Sequence, residues 1–297
     1  MPERFVSQFN VQGVTFSMRD HLMMIDVENE YAKATITTHG ACVLSYVPQG
    51  GQDLLWVSPT AVYNGQKAVR GGIPVCWPWF GKAKSAGLPA HGFVRNMVWH
   101  LDRVANLPSG VTEVILVCDD TAETRSVWPH AFHLELKIEV GDKLALSLTT
   151  TNLNDHDIEI TEALHTYFKV ADPRGLTVAG LGNTIHLDKL NEEAPPEIQT
   201  EPVVIHPPKD SVYLNHQGEA VIEDLGNQRR IVIEKRNSDS SVVWNPGPEI
   251  VKGFDDIPEQ GWLEFACVES GNVLDNQVVI PSEEKHCMVM ILCAETL

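Results

Sequence analysis

The chain has 297 residues, 43% of them hydrophobic and 21% charged, enough to bury a substantial core in an ordinary globular composition. Forty acidic residues against 22 basic ones give a formal net charge of −18, which opposes nonspecific nucleic-acid binding, whose affinity comes from cationic patches on phosphates. The N-terminal MPERFVSQFN has no basic region followed by an apolar run. The longest apolar stretch, Cys287 to Ala294, is far short of the ~20 residues a spanning helix needs, so the expectation is a cytoplasmic protein with no membrane insertion.

In chain order, the dominant pattern is short runs of period two. ATITT and CVLSYV lead to a turn cluster, PQGGQD, at 48–53. A glycine- and proline-rich segment follows, RGGIPVCWPWFGKAKSAGLPAHGFVR at 70–95, which predicts an irregular loop fastened by Trp77, Trp79, Phe80 and Phe93. No Asp or Glu occurs between Asp53 and Asp102, while those 48 positions hold Lys67, Arg70, Lys82, Lys84 and Arg95. The acid-free surroundings predict cations that are little neutralised. Arg70 and Arg95 each offer a planar fork to an anion, or serve as structural arginines for loop carbonyls.

EVILVC comes next, and then TAETRSVW, the one convincing helix, capped by Asp120 or Thr121 and stopped before Pro129. FHLELKIEV puts Phe132, Leu134, Leu136, Ile138 and Val140 on one face, and after Gly141-Asp142 the pattern resumes as KLALSLTTT, predicting a hairpin. In IEITEALHTYFKV, Ile158, Ile160, Leu164, Phe168 and Val170 share one face, while Ala163, His165 and Tyr167 point the other way. His165 therefore suits a pocket-lining acid or base, or a hydrogen-bonded structural histidine.

After RIVIEKR and SVVW comes WLEFACVESGN, where Leu263, Phe265, Cys267 and Glu269 share a face opposite Trp262, Glu264, Ala266 and Val268. Desolvation would raise the pKa of Glu269 and strengthen it as a proton acceptor, unless it is a structural ion pair. Glu264 reads as solvated or locally paired, and Asp255-Asp256 as caps or solvated turn residues. HCMVMILC closes the series. Many short strands with few helices predict an all-β, mostly antiparallel chain folded as one large β-sandwich domain over 1–297, with a monomer favoured.

The chain lacks G-x-x-x-x-G-K-[ST], a strand-G-x-G-x-x-G-helix unit, G-x-S-x-G and H-E-x-x-H, so the expectation is chemistry by side chains with neither cofactor nor metal. The H-x-x-H of His130 and His133 enters a strand, where positions three apart face opposite ways. Six scattered cysteines without a C-x-x-C pair predict reduced core thiols.

RGGIPVCWPWFG, LPAHGFVRN, ALHTYF, DSVYLN, WNPGP and FACVE, in this order, resemble the aldose 1-epimerase (galactose mutarotase-like) superfamily, specifically its hexose-6-phosphate mutarotase branch. The resemblance implies a supersandwich and cofactor-independent interconversion of the α and β anomers of a sugar phosphate. It also implies His165 as the acid at the ring oxygen and Glu269 as the base at the C1 hydroxyl. Arg70 and Arg95 match phosphate- and substrate-contacting arginines, and His91 and Asp210 match positions lining the sugar site. Where the family commonly shows T-D-R, this chain has Lys209-Asp210-Ser211, keeping the aspartate. Two rivals stand beside it: a non-catalytic carbohydrate-binding protein, and a glycoside hydrolase, which would need two suitably placed carboxylates.

Overall fold

The computed structural model describes residues 2–297. The strongest period-two runs form the centre of a nine-stranded antiparallel sheet. Phe132–Val140 pairs with Leu144–Asn152 as the expected hairpin, and along both strands buried and half-buried positions alternate without a break. That sheet runs in the order Val203–Val204, Thr177–Ala179, Ala220–Asp224, Arg229–Arg236, Lys285–Thr296, Leu144–Asn152, Phe132–Val140, Thr112–Asp119 and His100–Asn106. Ala122–Val127 is the helix expected from TAETRSVW; Thr121 caps it by accepting a bond from the Thr124 N–H, while Thr124 reaches back to the Thr121 N–H.

A second, eight-stranded sheet carries the residues of interest. Its order is Glu197–Ile198, Ile185–Asp188, Lys209–Leu214, Ser240–Asn245, Phe265–Asn272, Glu162–Leu164 and Val75–Cys76, with Tyr167–Lys169 also pairing Phe265–Asn272. One face packs on the nine-stranded sheet: Leu164, Phe168, Tyr213, Val243, Ala266 and Val268 join Leu134, Leu136 and Ile138 in the main core. Each fully buried valine, leucine, isoleucine or phenylalanine among them contributes roughly 1.5–3 kcal/mol. A four-stranded meander, Val14–Arg19, Leu22–Glu28, Ala32–Thr37 and Cys42–Pro48, supplies Ile25, Ile36 and Val43 to the same core. The fold is thus an all-β stack of antiparallel sheets. Among the described residues no helix is long and apolar enough to cross a membrane.

IEITEALHTYFKV is not one strand. It is divided into Ile158–Ile160, Glu162–Leu164 and Tyr167–Lys169, because the loop from Gly71 takes over its hydrogen bonds: His165 N–H donates to Pro74 O and Tyr167 N–H to Gly72 O. The predicted phases survive the interruption. Ile158, Ile160, Leu164, Phe168 and Val170 lie in the main core, whereas Ala163 and Tyr167 lie in separate clusters on the opposite side.

The segment 70–95 is irregular as expected, with only Val75–Cys76 in a strand and Val94–Asn96 in a 3-10 turn. Trp77 anchors it, fully buried, its indole N–H donating to the Thr150 hydroxyl at 3.0 Å. Gly92 crosses directly over Trp77 with φ +71°, and a Cβ there would stand 1.8 Å from the Trp77 carbonyl oxygen. No side chain fits. Gly92→Ala should therefore lower the free energy of unfolding by at least about 2 kcal/mol, measured by chemical denaturation against the native chain.

Candidate active site

Strand register assembles the site on the sheet face turned away from the main core. Paired residues in an antiparallel ladder share a face, and so do residues two apart in one strand. Asp210 pairs with Trp244, Trp244 with Cys267 and Cys267 with Tyr167, forming one row of four side chains across four strands. Two residues beyond Cys267 the next row begins with Glu269, opposite Val242. Phe265, Cys267 and Glu269 thus share the predicted face, but the opposite face is no more wet than this one, since every residue of Phe265–Asn272 is buried. Trp262, Leu263 and Glu264 precede the strand, so the alternation does not reach them: Trp262 packs with Phe265 and Cys267 instead of opposite them, and Glu264 is exposed while also accepting the Trp56 indole N–H at 2.8 Å.

His165 reaches the same face where the broken strand turns. Its Nε2 lies 3.4 Å from Glu269 Oε1, and the pair is buried, with His165 8% and Glu269 1% exposed. The imidazole stacks on the Tyr167 ring at a centroid distance of 4.9 Å and meets His91 edge-on at 5.6 Å. His165 Nδ1 and Glu269 Oε2 are buried with no hydrogen-bond partner among the described residues. Each is a buried polar atom whose bonding capacity is unused.

Burial acts on both groups in the direction of neutrality. It pushes Glu269 well above the usual carboxylate range, helped by the Asp210 carboxylate and opposed by Arg95. It also pulls His165 well below its ordinary value, and His91, Arg95 and Arg70 add to the effect. Both shifts favour the same distribution, a protonated carboxyl beside a neutral imidazole. Asp210 is itself pushed up to about 6, mainly by burial.

His91 closes a small excursion of the loop. Its N–H donates to Gly81 O at 2.7 Å, and its Nδ1 accepts the Gly81 N–H at 3.2 Å, which leaves the ring proton on Nε2. A second proton would cost that bond, and burial with the charges of Arg95 and Arg70 pulls His91 down to about 3.

The two arginines differ. Arg95 donates from Nη2 to Ala90 O at 2.9 Å, and its Nε is buried without a partner among the described residues. Arg70 donates from Nε to Asp256 Oδ1 at 3.0 Å and from Nη1 to the Tyr167 hydroxyl at 3.1 Å, with its guanidinium 4.9 Å above the Phe254 ring. This corrects two expectations. Asp256 is buried rather than a solvated turn residue, and with Asp255 it brings carboxylates from about 186 positions along the chain to an acid-free stretch, where they pair with Arg70 and Lys67. The six residues singled out, His165, Glu269, Arg70, Arg95, His91 and Asp210, converge on one side of one sheet. The pairing of Asp256 with Arg70, the link that Tyr167 makes between Arg70 and His165, and the place of Trp244 beside His165 were not legible in the sequence, since no local pattern marks a partner so distant.

Among the described residues no three His, Cys, Asp or Glu side chains are grouped as metal ligands. His133 pairs with Asp119 and His130 with His156, so the H-x-x-H is divided between two partners.

The sequence profile described as Aldose 1-epimerase matches residues 23–292. This chain belongs to the aldose 1-epimerase family. Over 277 residues, 93% of this chain and 92% of the relative, it is 36% identical to an Escherichia coli K12 protein named "Putative glucose-6-phosphate 1-epimerase". A plant protein of that same name, from Cenchrus ciliaris, is 32% identical, with 84% of this chain and 78% of the relative aligned. In three dimensions the chain superposes on the crystal structure of a "putative mutarotase" from Salmonella typhimurium with a TM-score of 0.89 and 31% identity, covering 96% of this chain and 94% of the other.

The neutrality of His91 has a measurable consequence. A folded-state pKa below the unfolded value stabilises the fold above pH 6.5 and loses that contribution as pH falls toward about 3. The stability advantage of the native chain over His91→Asn should therefore shrink by about 1 kcal/mol per pH unit below 6.5. Denaturant titrations at a series of pH values measure it.

Proposed function

We propose that the protein interconverts the α and β anomers of a hexose 6-phosphate, D-glucose 6-phosphate being the favoured substrate, by general acid and base catalysis. The observation that carries this is the contact of His165 Nε2 with Glu269 Oε1 at 3.4 Å, both side chains buried and the charges of Arg70 and Arg95 acting on the imidazole. The pair, the family and the names of the relatives support the chemistry. Arg70, Arg95 and those same names support the phosphate.

Mutarotation needs a proton removed from O1 and another delivered to O5. In the complex, the single proton of the pair sits on His165 and Glu269 is a carboxylate. This distribution has the same proton count as the resting one, and the substrate promotes it. Arg70 and Arg95 hold the free imidazole down, and a phosphate dianion beside them offsets that influence. Glu269 takes the O1 proton as the C1–O1 bond becomes a carbonyl. The C1–O5 electrons pass to O5, which receives the His165 proton. After rotation about C1–C2, the aldehyde is attacked from its other face and both transfers reverse.

The ring-opened state leaves Glu269 protonated and His165 neutral, the distribution that burial prefers. The pocket thus stabilises the intermediate relative to the charged pair that precedes it. Two positioned proton-transfer groups, each worth ~10²–10⁴-fold, are adequate for a reaction that water already supports.

Glu269→Gln keeps the shape of the side chain and removes the base. Exchange NMR should show anomer exchange of glucose 6-phosphate slowed by ~10²–10⁴-fold, with substrate binding largely retained. Undiminished exchange would remove Glu269 from the mechanism.

A further inference from the structure

Asp256 stands where neither the strand periodicity nor the catalytic chemistry calls for a carboxylate. It is 2% exposed, and its two oxygens are divided between two cations, Oδ1 accepting from Arg70 Nε at 3.0 Å and Oδ2 lying 3.2 Å from Lys67 Nζ. Lys67 is also 2.8 Å from the exposed Asp255. We propose that Asp256 is a positioning residue for phosphate recognition, holding Arg70 and Lys67 side by side as one reader of the substrate's 6-phosphate. The inference rests on the proposed hexose-6-phosphate activity and adds to it a second cation and the group that orients both.

The geometry carries the assignment. Arg70 is held on one edge by Asp256, at one terminal nitrogen by Tyr167 and on one face by Phe254, so the guanidinium cannot rotate. Of its five N–H groups, one on Nε and one on Nη1 are occupied, and the remaining terminal N–H groups form the free edge. A fork presented in fixed orientation suits two oxygens of a phosphate, and an ammonium beside it suits the third as a point charge. Without the carboxylate, two like charges brought this close would repel and the flexible lysine would swing to solvent. Tyr167 extends the arrangement inward, since its hydroxyl accepts from Arg70 while its ring stacks on His165. The phosphate reader and the proton-transfer pair are thereby parts of one packed wall.

A buried aspartate with two partners could instead serve only to hold its loop. The two roles differ in a ratio. Loss of folded protein lowers kcat/KM for every substrate equally, whereas a misplaced phosphate reader lowers it for phosphorylated sugar alone.

The test compares kcat/KM for anomer exchange of glucose 6-phosphate with that of glucose, in the native chain and in Asp256→Asn, Asp256→Ala and Lys67→Met. An amide has one acceptor oxygen, so Asp256→Asn can serve Arg70 or Lys67 but not both. Lys67 is half-exposed and its replacement leaves Arg70 on Asp256, so this variant should disturb the fold least of the three. The native ratio should exceed one and fall about tenfold or more in both Asp256 variants, with a smaller fall in Lys67→Met. A native preference for the phosphorylated sugar that persists unchanged in all three variants would overturn the positioning role alone. A native ratio of one or below would overturn the phosphate reading itself, and this inference with it.

Discussion

Burial of one acid–base pair is the constraint around which the molecule is arranged. A carboxylate and an imidazole 3.4 Å apart, both nearly sealed from water, are costly unless ionisation is suppressed, and here it is suppressed on both sides. The suppression needs an apolar strand face ending in Glu269, and a neighbouring segment that exposes His165 to that face while keeping its own hydrophobic side chains in the main core. The eight-stranded sheet meets both requirements, because Phe265–Asn272 lies between Ser240–Asn245 on one side and the Glu162–Leu164 and Tyr167–Lys169 segments on the other.

The loop at 70–95 provides what the sheet alone cannot. By accepting backbone bonds at Gly72 and Pro74 it breaks the strand carrying His165, and through His91, Arg70 and Arg95 it sets the electrostatics around the pair. Its own rigidity comes from Trp77 in the core, Gly92 crossing over it, and the two bonds between His91 and Gly81. Fold and chemistry therefore meet at particular backbone atoms. A change in the loop is felt at His165 without touching it.

Period-two runs made much of this legible from sequence. FHLELKIEV and KLALSLTTT became a hairpin in register, and the facing of Phe265, Cys267 and Glu269 followed from alternation alone. The phases of Leu164 and Phe168 held even where the strand was interrupted, since the interruption displaced hydrogen bonds and not the direction of side chains. What stayed hidden was long-range charge pairing. Asp255-Asp256 looks like a turn when read locally, and the acid-free window around Arg70 looks unneutralised, because nothing in either stretch encodes the other. Equally, alternation distinguishes two faces but not wet from dry, so the full burial of Phe265–Asn272 required its neighbours. The rise of the Glu269 pKa was legible from its apolar strand face, whereas the lowering of His165 depends on burial and on His91, Arg95 and Arg70, which its own stretch does not encode.

The proposed division of work is a proton-transfer pair on the sheet and a charge reader on the loop and its distant acidic partners. Two-dimensional exchange NMR on glucose 6-phosphate, with native protein at several concentrations, tests it most directly. Cross-peaks between the α and β anomeric protons should grow with protein concentration well above the protein-free rate, and more steeply than for glucose. An exchange rate independent of protein concentration would contradict the assignment of this pocket as a mutarotase site.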